Sequence, residues 1–149
     1  MTSADDVKKL RDMTGISVMQ CKQALEEAGG DFEKAVALLR EKGAAIAAKK
    51  ADRTLGAGTI AAYVHQHTIG VLLELRSETD FVAKNEEFIA LARELAMHVA
   101  AAAPADAATL LDQPFIKDES RAVRTMIEGA TQKFGERIEV GQFVRYSVK

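Results

Sequence analysis

Apolar residues recur along this chain with two periods, one helical and one of strand type, and the changes of period divide it. Up to residue 43 the spacing is helical. Val7 and Leu10 in a first segment, Val18, Cys21, Ala24 and Leu25 in a second, and Ala35, Leu38 and Leu39 in a third each fall on one helix face. Ser3, Ser17 and Asp31 stand where a side-chain oxygen can accept from the free N–H groups of a first turn. Thr14-Gly15, Gly29-Gly30 and Gly43 stand where each helix is expected to stop. From Ala44 to Gly58 the chain turns alanine- and lysine-rich, then glycine-rich, which predicts a short helix fraying into a linker. Beyond it the period becomes two. Thr59–His65, a turn at Gln66–Thr68 and Ile69–Arg76 form a hairpin, with Val71, Leu73 and Leu75 on one face and Leu72, Glu74 and Arg76 on the other. Helical spacing returns over Asn85–Ala103 (Phe88, Leu91, Ala92, Leu95), weakly over Asp106–Leu111, and over Ser120–Phe134 (Val123, Met126, Ile127, Ala130, Phe134), with Gly135 as the stop. Ile138–Val148 is a third strand, with Val144, Tyr146 and Val148 on one side and Phe143, Arg145 and Ser147 on the other.

The economical assembly is an α+β fold: a three-helix domain over residues 1–43, a linker over 44–58, and a helix-and-sheet core over 59–149, where helices pack on one face of a three-stranded antiparallel sheet. Tyr63, Leu72 and Phe143 add apolar surface that is expected opposite the helix-covered face. A sheet that wants burial on both sides predicts self-association.

Composition narrows the partners. With 149 residues, 48% hydrophobic and 28% charged, the chain has ordinary globular usage. A formal net charge of −2 gives no general attraction for nucleic acid, so a protein partner fits better than direct nucleic-acid binding. No basic and apolar signal precedes Asp5-Asp6 and no apolar run approaches the roughly 20 residues of a membrane span, so a cytoplasmic location without membrane contact is expected. Cys21 has no second cysteine to pair with and falls on the inner side of its helix.

Catalytic chemistry is thin. There is no Gly-x-x-x-x-Gly-Lys phosphate loop. His65 and His67 have chelating spacing, but no third ligand stands near them, and zinc takes three or four. Neither metal, cofactor nor covalent step is therefore expected. Glu86-Glu87 suit the first turn of a helix. Lys42, Lys49, Lys50 and Arg53 form a basic cluster, either a solvated face or a docking patch for an acidic surface.

The run Thr79-Asp80-Phe81-Val82-Ala83-Lys84-Asn85 places an acid and a large ring where a strand gives way to a helix. Two readings are open from the residues alone. Asp80 caps a turn while Phe81 staples it to the core, or both project from a rigid corner as a probe for a partner.

This run, followed by Phe88, resembles one signature of the elongation factor Ts family, and Leu10-Arg11-Asp12-Met13-Thr14-Gly15-Ile16-Ser17-Val18-Met19-Gln20-Cys21-Lys22-Gln23-Ala24-Leu25 resembles the other. Ala47-Ala48-Lys49-Lys50-Ala51 lies between them, and a strand containing Arg145 follows. The resemblance implies a guanine-nucleotide exchange factor that binds elongation factor Tu, both GDP-bound and nucleotide-free, and promotes GDP release by displacing its magnesium ion. It implies that Thr79, Asp80, Phe81 and Val82 engage the partner's nucleotide domain, Phe81 as a wedge near that ion. It also implies secondary contacts from Met13, Gly15, Ile16, Met19, Lys49, Lys50, Lys84 and Asn85. The first three helices resemble the ubiquitin-associated fold, with Met13-Thr14-Gly15-Ile16 in place of its recognition loop. An adaptor without exchange activity is thus the rival; an RNA-binding accessory protein is disfavoured by the near-neutral charge and few aromatics. Short members with a single core module are expected to pair as homodimers through their sheets, whereas longer members carry a second copy of the module, which this chain lacks together with additional helical insertions.

Overall fold

The structure, a computed structural model, describes residues 3–149. Helix α1 (Ala4–Thr14) is capped by Ser3, whose hydroxyl accepts from the Asp6 N–H, and ends on Gly15 in the left-handed conformation at φ 71°. Ser17 caps α2 (Val18–Glu27) and Asp31 caps α3 (Phe32–Lys49) in the same way. Leu10, Ile16, Cys21, Leu25 and Leu39 make the small core of this unit.

The expected stop at Gly43 is not made. Helix α3 runs on to Lys49, carried by Ala44, Ala45, Ala47 and Ala48, which hold a helix well. Gly43 serves close packing instead: a Cβ there would lie 3.0 Å from Gln132 Oε1 and 3.5 Å from the Glu128 carbonyl oxygen. Both belong to α7 (Val123–Phe134), so α3 lies directly against the second half of the chain.

Strands β1 (Ala57–His65), β2 (Ile69–Ser77) and, near the end of the chain, β5 (Glu139–Ser147) form an antiparallel sheet in the order β1-β2-β5. A one-turn helix α4 (Asp80–Ala83) and the long helix α5 (Glu86–Ala102) follow β2. Next come α6 (Ala107–Asp112) and a small hairpin of β3 (Pro114–Phe115) and β4 (Asp118–Ala122). That hairpin corrects the expected helix start at Ser120. Asp118, Glu119, Ser120 and Arg121 offer no apolar stripe to bury, so α7 begins where the stripe does, at Val123.

Val71, Leu73 and Leu75 point into the main core with Phe88, Leu95 and Val99 of α5 and Val123 and Ile127 of α7. Tyr63 and Phe143 join this core too, contrary to expectation. Tyr63 stands opposite Val71 and Phe143 opposite Leu73 in the strand register, and residues directly opposite share a face. The open face instead carries Ile60, Val64, Leu72, Val144 and Tyr146, all exposed. Among the described residues no helix is long and apolar enough to cross a membrane.

Candidate functional site

Two caps in series build the corner between β2 and α5. Thr79, in extended conformation, accepts from the Val82 N–H at 3.4 Å and so opens α4. Two residues after α4 ends, Asn85 Oδ1 accepts from the Glu87 and Phe88 N–H groups at 2.8 and 3.3 Å and opens α5. Val82 and Ala83 are buried, while Asp80 and Phe81 face outward, the ring 86% exposed. The staple reading of Phe81 is thereby set aside. Val82 does the packing that it assigned to the ring.

A second layer holds the corner from behind. Glu136, just past the end of α7, accepts through Oε1 from the Glu78 and Thr79 N–H groups, both at 3.0 Å, and through Oε2 from the Thr79 hydroxyl at 2.7 Å. Glu78 reciprocates, its Oε2 accepting from the Arg137 N–H and its Oε1 from the Arg53 guanidinium at 3.4 Å. The Arg137 N–H, with help from Arg53 and Lys50, holds the Glu78 carboxyl below the ordinary glutamate value of 4.5. Ser77 Oγ donates to the Thr79 carbonyl oxygen at 3.0 Å. Chain periodicity gives no hint of this clasp, because its two loops lie 58 residues apart in the sequence.

The remaining residues implied by the resemblance scatter. Met13, Val18 and Met19 are exposed apolar residues of the N-terminal unit. Ile16, named with Met13 and Met19 as a secondary contact, is buried in that unit's core at 4% exposure. Gly15 lies at the seam with the core: a Cβ on it would come within 2.8 Å of the Lys133 ammonium, which pairs with Glu87. Lys49 and Lys84 are exposed; Lys50 is half-buried at the end of α3, and Asn85 is occupied as a cap. In the basic cluster Lys42 pairs with Glu27 at 3.2 Å and Arg53 with Glu78, so two of its four charges are already partnered.

His98 is a residue whose role periodicity missed. It is wholly buried, and its Nδ1 accepts from the Ile116 N–H at 3.1 Å. That leaves Nε2–H to donate to Gln113 Oε1 at 2.9 Å, while the ring stacks on Phe115 at 5.8 Å. It fastens the small hairpin to α5. His65 lies beside the Tyr63 hydroxyl at 2.9 Å and His67 sits in the turn. No cluster of three or more His, Cys, Asp or Glu suited to a metal occurs among the described residues. Cys21 is buried, its thiol pushed up by desolvation. A cleft of about 210 Å³ between α3 and α7, lined by Met13, Ile16, Arg40, Gly43, Arg121 and Gln132 among others, does not reach the corner. What the corner offers chemically is a carboxylate beside a bare aromatic ring on a fixed turn.

A family model described as "Elongation factor TS" matches residues 78–149, beginning at Glu78, and one described as "UBA-like domain" matches residues 7–45. Curated relatives named "Elongation factor Ts" align over nearly the whole chain. The one from Thermodesulfovibrio yellowstonii is 40% identical, with 98% of this chain and 96% of the relative covered. That from Desulforamulus reducens is 41% identical over 98% and 88%, and that from Thermotoga maritima 40% identical over 98% and 96%. The alignments extend over 190 to 192 positions in these three, so this chain of 149 residues leaves part of each relative without a counterpart.

Proposed function

The chain belongs to the elongation factor Ts family of translation elongation factors, and on that premise we propose that it is a guanine-nucleotide exchange factor for elongation factor Tu, binding both the GDP-bound and the nucleotide-free partner. The observation that carries this reading is Phe81, an aromatic ring 86% exposed on a turn capped by Thr79 and anchored by buried Val82. Such a ring does nothing for the core of the free chain, and water around it is released when it enters an apolar gap. Phe81 is the wedge beside the partner's magnesium ion, Asp80 makes polar contacts next to it, and Thr79 and Val82 hold the turn. Displacing the ion weakens GDP binding. By linkage, a chain that prefers the nucleotide-free state weakens nucleotide by the same factor by which nucleotide weakens the chain. No covalent step or cofactor of its own is involved, so the chain is an exchange factor and not an enzyme, and it works in the cytoplasm.

The N-terminal unit, residues 1–43 with 44–58 as its connection to the core of 59–149, is the second docking element. Met13 and Met19 supply exposed apolar area there, Gly15 shapes the loop between α1 and α2, and Lys49, Lys50 and Lys84 add charge; Asn85 acts through its cap. The open sheet face, with Leu72, Val144 and Tyr146, supports a homodimer.

The test is GDP release. Elongation factor Tu loaded with a fluorescent GDP analogue is mixed with the chain, and accelerated release is the expected result. The rival, a ubiquitin-associated-type adaptor without exchange activity, has in its favour the UBA-like match over residues 7–45. It predicts binding with no acceleration.

A further inference from the structure

We propose that Glu136 is a positioning residue for exchange: from across the chain its carboxylate clasps the turn that carries Phe81 and fixes the direction in which the ring projects. This rests on the reading of Phe81 as the wedge.

Strand β2 ends at Ser77, so the N–H groups of Glu78 and Thr79 leave the sheet without ladder partners. Unpaired backbone donors must find an acceptor or water. Glu136 Oε1 takes both at 3.0 Å. Its Oε2 takes the Thr79 hydroxyl hydrogen at 2.7 Å, which orients that oxygen's lone pairs so that it accepts from the Val82 N–H. The carboxylate, hydroxyl and amide thus form one relay from the end of α7 to the turn bearing Phe81. Bonds to a charged acceptor are about twice as strong as neutral ones.

The relay matters because Val82 and Ala83 anchor the inner side of this turn, while the relay is what orients its outer side, where Phe81 stands. Helix α4 has only four residues, too few to persist without outside support. The exposed ring has little packing to fix it, so its aim is set by the backbone beneath. A probe ordered in advance spares the complex the entropy of ordering it on binding. Glu78 answers from the other loop by accepting from the Arg137 N–H, so each loop supplies a carboxylate to the backbone of the other.

A double-mutant cycle with Phe81→Ala and Glu136→Ala tests this, reading GDP release from the loaded partner per folded molecule beside thermal unfolding of each free chain. Glu136→Ala is expected to slow exchange by roughly tenfold in the wild-type background and by less than about twofold when Phe81 is already alanine, since a residue acting through another loses its effect with it. Glu136→Gln keeps an oxygen for the two N–H groups but turns an amide toward the Thr79 hydroxyl, and its loss should be intermediate; should Glu136→Ala not fold, it takes that variant's place in the cycle. Losses that multiply in the double variant, with Phe81→Ala impaired, overturn the role of Glu136 and leave the wedge standing. So does a Glu136→Ala chain that melts far lower yet exchanges normally per folded molecule. A Phe81→Ala chain that exchanges at the wild-type rate removes the wedge, and the role of Glu136 with it.

Discussion

Phe81 and Val82 are neighbours in the chain and opposites in space: the ring is 86% exposed while the valine beside it is 4% exposed in the core. A step of one residue, about 100° around the helix, separates a surface function from a packing function.

Phe81→Ala should therefore leave the free chain's stability within about 0.5 kcal/mol, the range of ordinary surface changes. Loss of the wedge in the complex should remove about 1.5–3 kcal/mol of apolar burial. That corresponds to roughly ten- to hundredfold in affinity or exchange efficiency. Val82→Ala should do the reverse, destabilising the fold by about 1–3 kcal/mol through lost burial and cavity formation. Melting curves beside nucleotide release separate the two; a large fall in melting temperature for Phe81→Ala would mean the ring is packing and not probe.

The two faces of the sheet predict a second contrast. Leu72→Asp on the open face should leave a folded chain that sediments as a monomer where the wild type sediments as a dimer, because an unpaired charge in an apolar interface is strongly unfavourable. Phe143→Asp, facing the core opposite Leu73, should instead lower the melting temperature sharply. A wild-type chain that is monomeric at micromolar concentration would end the dimer proposal.

Glu78 predicts a pH dependence. Its folded carboxyl titrates below the ordinary value of 4.5, chiefly because it accepts from the Arg137 N–H. A depressed folded value contributes stability that is fully present above the unfolded value and lost as pH falls through the folded one. Wild type should melt above Glu78→Gln by a constant margin at pH above 4.5, and the margin should shrink on further acidification. A margin that stays constant into strong acid would count against the clasp.

Gly43 predicts the seam between α3 and α7. In Gly43→Ala the better helix propensity, about 0.8–1.0 kcal/mol, opposes a close contact with the movable end of Gln132, so the change should be near neutral. Gly43→Leu has backbone of Glu128 in its way as well and should destabilise by about 1–3 kcal/mol. Proteolysis in the connection at residues 50–56 is the second readout, with faster cleavage expected for the leucine variant only.

Local chemistry in the sequence was enough for most elements. Ser3, Ser17 and Asp31 start helices and Gly15 ends one, because a cap depends on residues within one turn of it. The inward set Val71, Leu73 and Leu75 followed from alternation, since successive side chains of a strand point to opposite faces. What the sequence left open was which face each strand shared with its neighbours, and there only register placed Tyr63 and Phe143 inside and put Val144 and Tyr146 outside with Leu72, whose outward place alternation had already given. Gly43 looked like a stop because its packing partner, α7, lies some 85 residues further on, as the Gly43 to Glu128 contact shows. At the corner the residues Thr79 to Asn85 were legible as a motif, yet whether Phe81 or Val82 faced inward depended on the packing of α4 against the sheet. Glu136 was not legible at all: a solvated acid after a helix end acquires its three bonds only when the fold brings two distant loops together. Caps and periods are written in neighbouring residues, whereas register, burial and clasps depend on pairs of segments that chain order does not juxtapose.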